Sequence, residues 1–110
     1  METYYNPADL AAFGGIGKDA PELAKKFFDY YAEVFKEGEL TEREKGLIAL
    51  AVAHAVQCPY CIDAYTQACL EKGSNLGEMT EAVHVAAAIR GGASLVHGVQ
   101  MRKVAEKLSM

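Results

Sequence analysis

The chain is divided into helix-length segments by residues that start and stop helices, and this pattern limits its possible folds more than any other feature. Thr41 and Asn75 each precede a glutamate by three residues, the pattern of a capping box, in which side-chain and backbone groups exchange hydrogen bonds at a helix start. Proline, whose fixed φ suits the first helical turn, marks further starts at Pro7, Pro21 and Pro59. No strand-like alternation of apolar and polar residues lies between turn residues. We therefore expect an all-α fold.

These signals divide the chain into about six helices within a single domain, residues 1–110. The third predicted helix contains the run Leu47–Ala53, which is apolar almost all round. Such a helix lies at the centre of a core or between subunits, because it has no face suited to water. The expected bounds in chain order are Asn6 to Gly14-Gly15, Pro21 to Gly38, Thr41 to Val56, Pro59 to Gly73, Asn75 to Gly91-Gly92, and Ala93 to Leu108.

Composition and charge argue against several classes of protein. The 110 residues carry a formal net charge of −4, which provides no basic surface for nucleic acid or an anionic membrane. The longest apolar stretch, Leu47–Val56, has about ten residues, far short of the roughly 20 that a membrane span needs. The N-terminus lacks the basic and apolar segments of a signal peptide. We expect a cytoplasmic protein with no nucleic-acid or membrane partner.

Small residues are concentrated in two of the predicted helices. They allow helices to approach closely, but they leave little side-chain volume for a core in a chain of this length. We therefore expect a homo-oligomer, in which a second copy supplies part of the buried surface. The residues are Ala51, Ala53, Ala55, Ala86, Ala87, Ala88, Gly91, Gly92 and Ala93.

The motif Cys58-Pro59-Tyr60-Cys61 has the clearest chemistry in the chain. If Cys58 caps a helix that starts at Pro59, the two sulfurs come within disulfide reach across the first turn. The unpaired N–H groups and the positive end of the helix dipole stabilise a thiolate there, and the thiolate is the reactive form of cysteine. In a reducing compartment this motif indicates redox or metal chemistry rather than a structural bridge. We favour a redox dithiol.

Two simpler interpretations of the motif are weaker. A zinc site needs about four ligands, and Cys69 lies eight residues after Cys61, about 12 Å along a helix. The three histidines are isolated, so we expect no metal site. The second interpretation is a pair of inert buried thiols, since free cysteine packs as a small hydrophobic residue. For Cys69 alone we prefer that interpretation.

A dithiol that reacts quickly needs a group nearby that accepts or donates a proton. Tyr65 follows Cys61 by four residues, on the same helix face, and is either a proton donor or a core aromatic residue. His54 precedes the motif by four residues and is either a base or a core histidine. Glu44 is explained as the capping partner of Thr41, with a catalytic role as the alternative.

Four segments together resemble the carboxymuconolactone decarboxylase family, specifically its AhpD-like alkylhydroperoxidase branch. They are Leu40–Lys45, Leu47–Ala53, Cys58–Ala64 and Ala86–Ala93, the last of which is similar to the closing part of that domain. The resemblance covers about residues 20 to 105. It implies an all-helical fold that assembles into homo-oligomers, as dimers or as trimers or hexamers built from dimers.

The resemblance also implies roles for the two motif cysteines. By position, Cys61 attacks a peroxide and Cys58 resolves the sulfenate into a disulfide. The helix-dipole argument alone favours Cys58 as the activated thiol, so this assignment rests on the resemblance.

The proton relay of the family is changed in this chain. The family has a histidine four residues after the second cysteine and a glutamate about twelve residues before the first. Here these positions are Tyr65 and Gly46, while Glu44 lies two positions away. Either peroxidase activity is weakened, or the relay moves to Tyr65, Glu44 or His54. The segments Ala53–Cys58 and Ala64–Thr66 are similar to a branch described as arsenosugar-biosynthesis-associated peroxidase-like proteins.

We therefore expect a thiol-dependent, peroxidase-like oxidoreductase that reduces a hydroperoxide or a disulfide. Each turnover leaves a disulfide, so the partners are this substrate and an external thiol reductant, and nothing in the sequence requires a cofactor. The alternative is a non-catalytic dithiol protein that senses redox state or binds a soft ligand such as an arsenical or a metal ion. Decarboxylase chemistry ranks last, because it does not need two paired cysteines.

Overall fold

The computed structural model describes residues 5–109, and within that range all regular structure is helical. The predicted all-α fold is confirmed. There are five α-helices and one 3₁₀ helix in these residues. Their bounds are α1 (Ala8–Ala11), the 3₁₀ helix (Phe13–Asp19), α2 (Pro21–Phe35), α3 (Glu42–Ala55), α4 (Pro59–Glu71) and α5 (Leu76–Leu108).

The N-terminal segment differs from the prediction. α1 begins at Ala8 with Pro7 at its N-cap, one residue later than predicted, although the Oδ1 of Asn6 accepts the N–H of Ala8 at 3.0 Å. The predicted stop at Gly14-Gly15 is wrong, because both glycines lie inside the 3₁₀ helix, which continues to Asp19. Glycine permits a break in a helix but does not impose one. The 3₁₀ helix instead packs against α2, and a Cβ added at Gly17 would lie only 2.3 Å from the Cβ of Ala24.

The core lies between α3, α4 and the first part of α5. α3 packs against both of the other helices, so its position is central, as its nearly uniform apolar sequence predicts. Leu50, Cys69 and Met79, one from each helix, are buried together. Leu47 and Tyr65 are partly buried against them. The capping boxes predicted at Thr41 and Asn75 are both present.

α5 is one continuous helix of 33 residues, so the predicted break at Gly91-Gly92 is wrong. Each glycine in a helix interior costs about 1 kcal/mol relative to alanine, which weakens the helix without ending it when no proline or competing cap is present. The helix is about 50 Å long, and its buried residues, Met79 and Ala86, both lie in its first part. Within the described residues, no helix is both long and apolar enough to cross a membrane.

Candidate functional site

The turn between α3 and α4 places the first motif cysteine. Gln57 has a φ of 57°, in the left-handed region that residues other than glycine seldom adopt. Its N–H donates to the carbonyl of His54 at 3.2 Å, and the N–H of Cys58 donates to the carbonyl of Ala53 at 3.0 Å. This pair of hydrogen bonds is a Schellman motif, which closes the end of α3. Cys58 is thereby both the last residue of the turn and the cap of α4.

At the start of α4 the two cysteines are close enough to form a disulfide. Their Cα atoms are 5.2 Å apart and their sulfurs lie within disulfide reach. The Sγ of Cys58 also accepts the backbone N–H of Cys61 at 3.2 Å. Pro59 occupies the first helical turn, as predicted. A sulfur held at this position faces the positive end of the helix dipole, and this favours the thiolate once the disulfide is reduced.

Two apolar cavities meet at the dithiol. The first, the N-terminal cavity, has a volume of about 470 Å³. It is lined by Asp9, Leu10, Ala12, Phe13, Ile16, Tyr31, Cys58, Tyr60, Cys61, Ala64 and Tyr65. The second, the α2–α3 groove, has a volume of about 570 Å³. It is lined by Tyr31, Val34, Phe35, Leu40, Lys45, Ile48, Ala49, Val52, Ala53, Val56, Cys61 and Tyr65. Cys61 therefore faces both cavities, whereas Cys58 lines the first.

Tyr65 is the predicted proton donor that the structure brings to the dithiol. It lies four residues after Cys61 on α4 and lines both cavities with it. Its ring stacks on Phe35, with centroids 5.4 Å apart and an interplanar angle of 17°. It also packs against the buried cluster around Leu50. The two roles considered for Tyr65, core aromatic and site residue, are therefore compatible with each other.

The other two candidates for proton transfer have different surroundings. The Nδ1 of His54 is 2.8 Å from the carbonyl oxygen of Leu50 on its own helix. Its ring lines a smaller cavity of about 310 Å³ together with residues of α5 such as Val83 and Arg90, and neither motif cysteine is part of that lining. Glu44 lies at the opposite end of α3, where its carboxylate accepts the N–H of Thr41 at 2.9 Å.

The electrostatics of Glu44 agree with its capping position. The hydrogen bonds from the backbone and side chain of Thr41 hold the pKa of Glu44 below its ordinary value. Ala55 lies eleven positions after Glu44 on α3, a distance of about 16 Å along the helix axis. The dithiol follows that far end of α3.

The position of the family's relay glutamate is occupied by Gly46, which is buried in α3. A Cβ added there would lie 3.6 Å from the Sγ of Cys69, at ordinary contact distance. Cys69 is itself 0% exposed, as its predicted core role requires, and burial raises the pKa of its thiol. In the described part of the chain, no three histidine, cysteine or acidic side chains converge as a group that could hold a metal ion.

The N-terminal segment is joined to α4 by a set of contacts that the sequence did not predict. The hydroxyl of Tyr5 donates to Asp63 at 3.0 Å, and the hydroxyl of Tyr60 donates to Asp9 at 3.3 Å. The Tyr5 and Tyr60 rings meet edge to face, with centroids 4.8 Å apart. Desolvation, together with the bond to Asp63, raises the pKa of Tyr5. The sequence offers one signal for these contacts, the presence of two tyrosines, Tyr60 inside the motif and Tyr5 near the N-terminus.

Fold and site together define an all-helical protein with a pair of cysteines at the start of one helix. A family model described as the carboxymuconolactone decarboxylase family matches residues 21–103. The chain is similar to "Uncharacterized protein 4 in cox locus" of Paracoccus denitrificans, with 33% identity over 102 residues, which are 93% of this chain and 92% of that protein. The chain belongs to the carboxymuconolactone decarboxylase family.

Solved structures agree with this assignment. A protein from Methanobacterium thermoautotrophicum superposes with a TM-score of 0.73 and 39% identity, covering 76% of this chain and 94% of its own. An apo carboxymuconolactone decarboxylase family protein from Legionella pneumophila superposes with a TM-score of 0.67 and 30% identity, covering 91% of this chain and 89% of its own. A protein from Thermotoga maritima superposes with a TM-score of 0.58 and 26% identity, covering 76% of each chain. These neighbours are consistent with the AhpD-like branch; the narrower arsenosugar-associated resemblance stays a prediction.

Proposed function

We propose that the protein is a peroxidase-like thiol oxidoreductase that uses a Cys58–Cys61 dithiol/disulfide cycle. One observation carries the proposal: the two sulfurs lie within disulfide reach at a helix start and open onto an apolar cavity. A structural bridge has no need of a cavity beside it, whereas a reacting dithiol has to be reached by its substrate. The family supplies the scaffold, and the site supplies the chemistry.

The cycle balances with one hydroperoxide and one external dithiol. The Cys61 thiolate attacks the outer oxygen of ROOH, the O–O bond breaks, and the RO⁻ that leaves takes a proton to become ROH. The Cys58 thiolate then attacks the sulfur of the Cys61 sulfenic acid, forming the disulfide and releasing hydroxide, which takes a proton to become water. An external dithiol returns two electrons and two protons, and becomes a disulfide itself. The reverse of this last step reduces a disulfide substrate, because the protein dithiol then donates the two electrons and two protons and becomes the disulfide.

The geometry supports different roles for the two sulfurs. Cys61 lines both cavities, which suits the sulfur that meets the substrate and the reductant. Cys58 accepts a backbone N–H at the positive end of α4, which stabilises it as a thiolate. A stabilised thiolate is the better leaving group when a reductant attacks the disulfide at Cys61.

Tyr65 is the proposed proton donor to the alkoxide, because it lines the same cavities as Cys61. His54 and Glu44 are weaker proposals for this role, since each already has a partner away from the dithiol. Restoring the family pattern tests the relay directly. We expect Gly46→Glu together with Tyr65→His to raise the peroxide rate constant, by about tenfold or more if general acid–base help is the limiting factor.

The central experiment follows oxidation of the reduced protein by a hydroperoxide, with thiol counting and mass spectrometry as readouts. We expect one disulfide per chain, between Cys58 and Cys61, and steady turnover when a dithiol reductant is added. Cys61→Ser should abolish turnover, and Cys58→Ser should stop the reaction at the Cys61 sulfenic acid. Cys69→Ser is the matched control and should keep both steps. A reduced protein that no hydroperoxide or disulfide oxidises contradicts the proposal.

A binding protein for a soft ligand is the second candidate, because two sulfurs at this spacing also suit an arsenical. Titration of the reduced protein with arsenite separates the two functions. Tight stoichiometric binding that Cys58→Ser abolishes, in a protein that shows no turnover, favours the binder. Turnover with only weak arsenite binding favours the oxidoreductase.

We also propose that the protein assembles as a homo-oligomer through the outer part of α5. The radius of gyration of the chain is 18.9 Å, whereas a compact chain of this length has about 13 Å. Leu95 and Leu108, both 81% exposed, lie on the part of α5 that extends beyond the core, together with the exposed Val96, Val99 and Met101. A second copy with the same apolar surface is the natural cover.

Sedimentation across a concentration series tests this assembly. We expect an oligomer that dissociates when Leu95→Glu and Val99→Glu are combined. A paired control, Lys103→Glu with Lys107→Glu, changes the charge of the same helix without removing apolar surface. A monomer at all concentrations contradicts the assembly.

A further inference from the structure

One wall of the N-terminal cavity comes from outside the part of the chain that matches the family model. The family match begins at residue 21, whereas this wall is made by residues of α1 and the 3₁₀ helix, among them Asp9, Phe13 and Ile16. The opposite wall is the dithiol helix itself, with Cys58 and Cys61. A molecule in this cavity therefore contacts the reacting sulfurs on one side and the N-terminal segment on the other.

The N-terminal segment is held over the dithiol by contacts at both ends. At one end, Tyr5 and Asp9 hydrogen-bond to Asp63 and Tyr60 on α4, at positions that flank Cys61. At the other end, the ring of Phe13 meets the ring of Phe28 on α2, with centroids 5.1 Å apart. The close approach of Gly17 to Ala24 fixes the distance between the 3₁₀ helix and α2. These contacts attach the segment to α2 and α4, although Phe13 and Ile16 themselves remain 46% and 71% exposed.

The lining of this cavity has a distinct chemical character. Among the described residues, it consists of aliphatic and aromatic side chains, the two cysteines and one charged residue, Asp9. The cationic side chain of the segment, Lys18, belongs to a separate recess on the other side of Ala12 and Ile16. At about 470 Å³ the cavity has the size of a small-molecule site. An apolar body fits this lining, and an anion meets a carboxylate of the same charge.

We propose that the N-terminal segment determines the substrate specificity of the dithiol, and that the cavity accepts an uncharged molecule with an apolar, ring-sized body and rejects carboxylates of the same shape. Asp9 provides the rejection, and Phe13 and Ile16 provide the apolar surface. That the bound molecule is a substrate rests on the proposed dithiol function. The existence and the charge preference of the site do not depend on it, so the two are tested separately.

The first experiment measures binding to the oxidised protein, in which the disulfide cannot react with a peroxide. The probes are 4-isopropylbenzamide and 4-isopropylbenzoate, which share a body and differ in charge, and the readout is the chemical shift of the Ile16 and Ala64 methyl groups. We expect the amide to bind at least about fivefold more tightly than the carboxylate. Asp9→Asn should bring the two affinities together. Asp19→Asn, an equal charge change on the same segment outside the cavity lining, should leave the ratio unchanged.

Two variants test the wall by shape. Ile16→Trp adds a larger ring to the apolar wall, which narrows the cavity and should weaken binding of both probes. Gly17→Ala displaces the 3₁₀ helix from Ala24 without changing a lining residue, and it should weaken amide binding. Gly14→Ala is the control, because its added Cβ has open space around it, and it should leave amide binding unchanged. Equal binding of amide and carboxylate by the wild type, or an amide affinity that Ile16→Trp leaves unchanged, overturns the inference. So does absence of binding because a second copy occupies the cavity.

The second experiment measures the rate of dithiol oxidation by cumene hydroperoxide and by its para-carboxylate. A preference of about fivefold or more for the neutral peroxide, lost in Asp9→Asn and kept in Asp19→Asn, supports the inference. Oxidation by both peroxides at equal rates overturns it while leaving the proposed function in place. If the amide still binds selectively but neither these peroxides nor any other hydroperoxide or disulfide oxidises the dithiol, the binding site stands and the proposed function fails.

Discussion

Two turns of this protein are closed by the same backbone hydrogen bonds but by different side chains. In the turn from α4 to α5, the N–H groups of Gly73 and Ser74 donate to the carbonyls of Leu70 and Cys69, at 3.1 and 2.9 Å. This is the Schellman motif that also ends α3. The left-handed residue there is Gly73, with a φ of 86°, whereas in the turn from α3 to α4 it is Gln57.

The helix caps that follow the two turns differ in the same way, with the preferred residue after the α4–α5 turn and a less suited one after the α3–α4 turn. α5 is capped by Asn75, whose Oδ1 accepts the N–H of Glu78 at 2.9 Å while the Glu78 carboxylate accepts the N–H of Asn75 at 3.0 Å. α4 is capped by the sulfur of Cys58, a weak acceptor. Glycine and asparagine are among the residues best suited to these two positions.

The difference separates a turn that serves stability from one that serves chemistry. The α4–α5 turn has the residue that local physics prefers at both positions. The α3–α4 turn has a strained residue followed by a weak cap, and that weak cap is one of the proposed reacting groups. Departures from local preference of this kind are expected at functional sites, where the surrounding structure holds them in place. Exchanging the residues of the two turns tests this difference.

The largest effect is expected when the strained residue is placed in the structural turn. Gly73→Gln forces a side chain into a φ of 86°, beyond the left-handed region that other residues tolerate, and should lower the free energy of unfolding by about 1–2 kcal/mol. Urea denaturation of the reduced protein measures this change. A Cβ at Gly73 has open space around it, so the loss is purely one of backbone conformation. An unchanged midpoint shows that the turn is not held in this conformation.

The next effect concerns the caps. Asn75→Ala removes the side-chain oxygen that accepts the N–H of Glu78, while the backbone N–H that donates to the Glu78 carboxylate is kept. The loss of this acceptor should cost about 1 kcal/mol of unfolding free energy. Cys58→Asn, compared with the reduced wild type, should instead be neutral or stabilising by about 0.5 kcal/mol, because it supplies the preferred acceptor. If Cys58→Asn destabilises as much as Asn75→Ala, the sulfur is a better cap than its chemistry indicates.

The parts of the fold that the sequence predicts are those determined locally. The starts at Thr41, Asn75 and Pro59 depend on contacts within one helical turn, and all three are observed. The stops predicted at Gly14-Gly15 and Gly91-Gly92 are wrong, because glycine allows a break that only the surroundings can enforce.

The candidate site shows the same limit. The pairing of the motif cysteines follows from their spacing, and the structure bears out their proximity. The left-handed conformation of Gln57 was not predicted, since nothing in its side chain favours it. The contact of Tyr5 with Asp63 joins residues 58 positions apart, and no periodic pattern predicts such a pair. The wall over the dithiol is therefore a product of tertiary packing.

A smaller effect is expected when the preferred residue is placed in the functional turn. Gln57→Gly removes the left-handed strain but adds freedom to the unfolded chain, so the unfolding free energy should rise by only about 0.5 kcal/mol. Gln57→Val is the opposing variant, since a β-branched residue at this φ should destabilise the protein. The two variants, unfolded in urea under reducing conditions, should lie on opposite sides of the wild type. The same sign for both contradicts the strain at this turn.

The smallest effect distinguishes the start of α3 from its end. Because the hydrogen bonds from Thr41 lower the folded-state pKa of Glu44, its ionised form stabilises the folded protein at every pH above the unfolded pKa, about 4.3. This contribution is lost as the pH falls through the lowered folded-state pKa. Glu44→Gln keeps a hydrogen-bond acceptor but removes the charge and the titration. It should therefore lose this small contribution at neutral pH, and the dependence of stability on acid should become shallower.

The same variant tests whether Glu44 takes part in the chemistry at the far end of the helix. If Glu44 serves only the helix start, the rate of dithiol oxidation by a hydroperoxide stays within about twofold, whereas loss of a general acid or base lowers it by roughly 100-fold or more. Tyr65→Phe, measured beside it, should show the larger loss because Tyr65 lines the cavities with Cys61. A large loss in Glu44→Gln with none in Tyr65→Phe reverses this assignment and makes the glutamate at the start of α3 part of the relay.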